Sequence, residues 1–184
     1  MSESGCLKDV NCQNLEVGGN LEVNGKSFVK QNIINLTADR TLRADETGSL
    51  VLLNSASAID VILPDPNGNI GVFYDFVVVL ATVSAGHTIV VGDTTDTTGD
   101  FLLGGVTLGH TATTGTMVAV VPNGAGGTTG DNKIVLLNGA DTEDAGGVGG
   151  VIRCVAATAT QWVVSGNLVA NHDGSTGANV FVHA

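Results

Sequence analysis

Aromatic residues are scarce in this 184-residue chain: one Trp, one Tyr and five Phe. A protein that binds sugars by stacking them on several aromatic platforms is therefore not expected. Basic residues are scarcer still, with seven Lys and Arg against eighteen Asp and Glu and a formal net charge of -11. That balance argues against wrapping nucleic acid, since affinity for a phosphate backbone comes mainly from Lys and Arg. Proline occurs three times and cysteine three times. The longest apolar run, Phe76 to Ala81, is far short of the roughly 20 residues that span a bilayer. The opening MSESGCLKDV lacks a basic cluster followed by an apolar stretch, so we expect a soluble protein that keeps its N-terminus and has no membrane partner.

Glycine, by contrast, is abundant, at 26 residues, and it punctuates short runs of Val, Ile, Leu and Thr. This spacing predicts an all-β protein. Strands are expected over Phe28 to Leu36, Ser49 to Asn54, Ile59 to Leu63, Val72 to Ala81, His87 to Val91, Met117 to Val121, Lys133 to Asn138, Val148 to Val155 and Gln161 to Val164, with a short one at Val180 to His183. In Ile59 to Leu63 the apolar Ile59, Val61 and Leu63 share one face of an extended chain and Asp60 takes the other. No comparable helical stripe is present. Asn-Gly pairs at 24–25, 67–68, 123–124 and 138–139 suit tight turns, and Pro64 to Gly68 reads as a loop. The expected body is an antiparallel sandwich or jelly roll.

Ahead of it, NLEVGG (Asn14 to Gly19) is followed directly by NLEVNG (Asn20 to Gly25), a repeat with a period of six. Each copy lays Leu and Val on one side before turning at Gly. Two rungs cannot bury that side alone, because a repeat unit needs neighbours to cover it. An ordinary hairpin against the core would supply the cover, and so would interleaving with other chains around a symmetry axis. Residues 1–26 are accordingly read as a short extended arm and 27–184 as a β-rich body. Five of the seven basic residues, Lys8, Lys26, Lys30, Arg40 and Arg43, precede residue 47. Beyond it only Lys133 and Arg153 stand against eleven acids, which leaves that part solvated and resistant to random association.

Motifs with chemical meaning fail on spacing. Gly25-Lys26-Ser27 matches the end of a phosphate loop, but the preceding glycine is Gly19, one position too far, and an extended segment follows instead of a helix. The glycine clusters at 124–127 and 146–150 miss the dinucleotide fingerprint at Thr129 and Ile152. Acids gather at Asp93, Asp96 and Asp100 and again at Asp141, Glu143 and Asp144, without the alternate-position pattern of a calcium loop. They read as solvated loops. His87, His110, His172 and His183 show no metal-ligand spacing and read as surface or turn residues. No G-x-S-x-G elbow supports a hydrolase. We expect no enzyme activity, no metal site and no cofactor. An odd number of cysteines without a secretion signal reads as free thiols, with Cys154 a buried small apolar group; Trp162 is expected in the core.

The repeat NLEVGGNLEVNG, followed by TADRTLRADETGSLVLLNSASAIDVILPDPNGNIGVFYDFVVV, resembles the head-decoration and fibre proteins of tailed bacteriophages. In those proteins an apolar strand ending in Leu-Pro, here Val61 to Pro64, leads through a Gly-containing turn to another strand, here Val72 to Val79. The resemblance covers about Asn14 to Gly92. It implies a virion structural protein, commonly trimeric, whose N-terminal segment attaches to the capsid or a fibre shaft while the body projects. On that reading the chain is made in the host cytoplasm and carried on the outer capsid surface, with the major capsid protein and its own copies as partners. Leu15, Val17, Leu21 and Val23 are the expected buried arm contacts, and Lys26, Lys30, Arg40 and Arg43 the electrostatic ones. The alternative is a receptor-binding fibre tip or glycan-binding module using the acidic loops 92–100 and 139–147.

Overall fold

The computed structural model describes residues 30–82, 85–92, 99–110, 117–123, 130–137, 145–170 and 180–183. All of these except Lys30 belong to one unit, Gln31–Ala184. Its described strands are β1 (Ile33–Leu36), β2 (Arg40–Thr41), β3 (Leu50–Asn54), β4 (Asp60–Leu63), β5 (Phe73–Leu80), β6 (His87–Val91), β7 (Phe101–His110), β8 (Met117–Val120), β9 (Lys133–Leu136), β10 (Val151–Thr158), β11 (Gln161–Ala170) and β12 (Phe181–Val182). A single 3-10 turn, Ala44–Glu46, is the one helical element among the described residues. No described helix is long and apolar enough to cross a membrane.

The strands form two sheets in a sandwich-like body. One has seven strands in the order β1-β3-β5-β10-β11-β7-β8, and the other five in the order β12-β9-β6-β4-β2. The all-β expectation holds, and the antiparallel one is corrected: both sheets are mixed. β1, β3 and β5 are mutually parallel, as are β2, β4 and β6, and β7 lies parallel to β11. The reason lies in the connections. Residues 37–39 carry the chain from β1 across to β2 in the facing sheet instead of turning it back beside β1. Each strand up to β6 therefore alternates sheets, and the next strand in the same sheet arrives running the same way. The result is three stacked coils, continued by antiparallel pairings at β5–β10, β10–β11, β7–β8, β6–β9 and β9–β12. β10 and β11 form a tight hairpin through Ala159 and Thr160.

Alternation places the core. Ile34, Val51, Phe76 and Ile152 are register neighbours across four strands of the larger sheet and are all buried. Val61, Ile89, Ile134 and Phe181 form the matching row of the smaller one. Ile59, Val61 and Leu63 are buried and Asp60 is exposed, as the period of two requires. Trp162 is fully buried and stacks on Tyr74 at a centroid distance of 6.2 Å, and Cys154 is buried beside them in register with Tyr74.

Several strand assignments differ from expectation: residues 30–32 lie outside β1, and β10 covers Val151–Thr158 instead of Val148 to Val155. β7 is ten residues long over a Gly-broken stretch, FLLGGVTLGH, where no strand is expected. β11 runs on through Ser165-Gly166-Asn167 to Ala170, and β2 adds a two-residue edge. The glycines serve close backbone approach here: a Cβ on Gly104, whose φ is +92°, would lie 2.2 Å from the Val164 carbonyl oxygen. His87 is also corrected. It sits in β6, every residue of which is buried, and not at a surface or turn.

Candidate functional site

Of the residues assigned to attachment, Leu15, Val17, Leu21, Val23 and Lys26 lie outside the described residues. Lys30 is exposed immediately before β1. Arg40 belongs to β2 and Arg43 precedes the 3-10 turn. Both arginines spend their charge locally: Arg40 pairs with Glu46, and Arg43 donates to the two carboxylate oxygens of Asp45 at 2.9 and 2.5 Å. The Arg43 hydrogen bonds hold the Asp45 carboxyl below its ordinary range, and the same contact raises the guanidinium. The Glu46 carboxylate also accepts the Arg43 backbone N–H at 2.9 Å, and the Tyr74 hydroxyl donates to the Arg43 carbonyl at 2.6 Å. Burial first, and Glu46 and Asp45 after it, push the Tyr74 phenol up to about 12. This turn is a neutral clamp that joins the first coil to the core.

Among the described residues, each sheet carries a groove on its outer face. The first, about 380 Å³, lies on the outside of the five-stranded sheet among Asp39, Arg40, Thr41, Asp60, Ile62, Thr88, Val90 and Lys133. Thr41, Ile62, Val90 and Lys133 are successive register partners on β2, β4, β6 and β9, so Ile62 and Val90 floor the groove between two polar ends. Thr88 donates its hydroxyl to Asp60 at 2.6 Å, and the Asp60 backbone N–H donates to Asp39 at 2.9 Å. Carboxylates, a hydroxyl and an ammonium around an aliphatic floor can hydrogen-bond a polar, polyhydroxylated ligand. Sequence reasoning missed this group because its members come from four strands and a connection; the outward Asp60 was the available signal.

The second groove, about 410 Å³, lies on the outside of the seven-stranded sheet between Leu50, Val77, Val151 and Ser165. Arg153 reaches across it to Asp75 with two hydrogen bonds of 2.6 and 2.7 Å, and Gln31 donates to the same carboxylate at 3.1 Å. Arg153 also lies 5.0 Å from the Phe73 ring centroid. The Arg153 hydrogen bonds, with help from Gln31, lower the Asp75 carboxyl against the opposing effect of burial.

Of the histidines, His87 and His183 contact backbone carbonyls, while the His110 side chain and His172 lie outside what is described. His87 donates through Nε2 to the Leu80 carbonyl at 2.8 Å, and its Nδ1 is buried without a hydrogen-bond partner. His183 contacts the Gly130 carbonyl through Nδ1 at 2.9 Å. Residues 93–98 and 138–144, which include most of the acidic-loop residues, lie outside the described residues. Among the described residues no group of three or more His, Cys, Asp or Glu is arranged to hold a metal. Comparison with protein-family models, with curated proteins and with solved structures found no match to the chain.

Proposed function

We propose that this chain is a non-enzymatic structural protein of a tailed-bacteriophage virion, a decoration or cement protein bound to the outer capsid surface. Residues 1–26 form the attachment arm and 27–184 the projecting body, three copies assemble together, and the major capsid protein is the partner. The observation that carries the reading is the placement of β1 and β2. Both are edge strands, one in each sheet, and both belong to the first coil. Among the described residues no further strand pairs with the outer edge of either, so at the first coil a partner's strand can add to the ladder. Lys30, Arg40 and Arg43 lie on or just before this coil. The two arginines are neutralised by their own carboxylates, and among the described residues Lys30 is the further cation before the coil. Binding only to assembled shells stabilises them by mass action.

The test is co-sedimentation of the full chain with empty shells assembled from the major capsid protein of its phage. Saturable binding, weakened by Leu15→Ala with Leu21→Ala while the body stays folded, is the expected result. A protein that remains in the supernatant at every shell concentration refutes the reading.

A receptor-binding tip is the second reading, and the groove at Asp39, Asp60 and Lys133 favours it. It requires binding to host cells or their surface glycans that Asp60→Ala with Lys133→Ala abolishes.

A further inference from the structure

The seven strands of the larger sheet contain only two residues of the Asp, Glu, Lys and Arg types, Asp75 and Arg153, and these neutralise each other. In a chain of net charge -11, the described strands thus make one broad face without net charge. Its outward positions are rich in apolar side chains. Leu52, Val77 and Val151 are register partners on β3, β5 and β10, and Ile33 beside Leu50 extends the strip to the sheet edge. Ile33 and Val151 are 61% and 41% exposed. The groove of about 410 Å³ continues the strip to Ser165. A contiguous apolar surface of this breadth on an outer sheet face marks a contact.

We propose that copies of this chain associate through the outer face of the seven-stranded sheet. Three features select a second copy as the occupant. The first is charge: two acidic molecules repel each other, and their approach costs least where each is neutral. The second is extent: seven strands about 4.8 Å apart and about five residues long, at about 3.3 Å per residue, give roughly 500 Å² per partner, which reaches the area that separates specific interfaces from small contacts. The third is geometry: one outer sheet face packs on another at about 10 Å, so the face of a second copy can cover the strip. The Asp75–Arg153 pair lies within this face, held by its own hydrogen bonds, so association leaves no charge unpaired. This inference is independent of capsid attachment.

Light scattering of the full-length protein across a wide dilution series tests it. The wild type is expected to exceed 18.5 kDa and to dissociate on dilution. Val151→Glu buries an unpaired charge in the contact and is expected to raise the dissociation constant by at least about tenfold. Asn167→Asp places a charge beside Val151 at a position already exposed, where the fold tolerates it, and is expected to act in the same direction. Ile70→Glu, on the connection between β4 and β5 and 64% exposed, is expected to leave the mass unchanged. A wild type at 18.5 kDa throughout overturns the proposal, as does assembly of both face variants at wild-type concentrations. Dissociation by Ile70→Glu also overturns it. A monomer whose binding to shells is lost in Val151→Glu gives the face to the capsid protein and overturns self-association, while supporting the decoration reading.

Discussion

Replacing Gly166 by Ala sets two principles against each other. In a strand, Ala is ordinarily favoured over Gly by roughly 0.5–1 kcal/mol, because Gly loses more backbone entropy on folding. At Gly166, however, a Cβ would stand 2.2 Å from the Val151 carbonyl oxygen, 2.9 Å from Ile152 Cα and 3.1 Å from Val151 C. All three are backbone atoms of β10, the strand paired with β11 at this point, so no side chain can rotate away. The β10–β11 ladder itself must open. Overpacking of this kind costs about 1–3 kcal/mol, and the rigid neighbours place Gly166→Ala at the upper end. For a chain of this size that is a fall in Tm of about 6–12 °C. Gly109→Ala is the internal control: it lies in β7, and its nearest neighbour would be the Leu168 carbonyl oxygen at 3.8 Å, an ordinary contact. It is expected to be neutral or to gain a few tenths of a kcal/mol. Thermal and urea unfolding followed by circular dichroism reads both. A Gly166→Ala variant as stable as the wild type, or more so, would refute the close approach of the two strands.

Other consequences are open to similar measurements. Trp162 is the only tryptophan and is fully buried, so its emission is expected to be blue-shifted and shielded from iodide until unfolding; Trp162→Ala should cost about 3–5 kcal/mol. Trp162→Phe should cost much less, since the indole N–H it removes has no partner. Cys154 is buried, and burial pushes its thiol up, so in a Cys6→Ser, Cys12→Ser background it should react with a thiol reagent only after denaturation. Reaction at the rate of a free thiol would contradict that burial. Because Asp75 is depressed by Arg153, its pairing stabilises the fold above the ordinary carboxylate range and is lost as pH falls through the lowered value. Arg153 is half exposed, so the screened contribution is about 1 kcal/mol or less. The wild type and Asp75→Asn should therefore differ at neutral pH and converge as acidification takes the solution below the lowered Asp75 value; a difference that persists in strong acid would show another cause.

Much of the strand content was legible because burial on one face leaves a period of two in the residues. Ile59, Val61 and Leu63 announce β4, and Val72 to Ala81 outlines β5 closely. β7 and the second half of β11 were not legible, because Gly104, Gly105 and Gly166 interrupt the alternation of side chains that marks a strand. Their function is relational: each is small because a neighbouring strand comes close. The burial of His87 was equally hidden, as it follows from the central place of β6 between β4 and β9.

The parallel coils show the same division. Seventeen residues separate Ile33 from its partner Leu50, and twenty-five separate Leu50 from Asp75, so no fixed period betrays them. The groove around Asp60 and Lys133 depends on that stacking, since residues far apart in the chain become neighbours only through strand register. Composition and alternation were enough to make this chain an acidic, all-β protein with Trp162 and Cys154 inside. Direction, sheet membership and the neutral outer face came from folding alone, because local sequence states which side of a strand is apolar but not which strand will lie beside it.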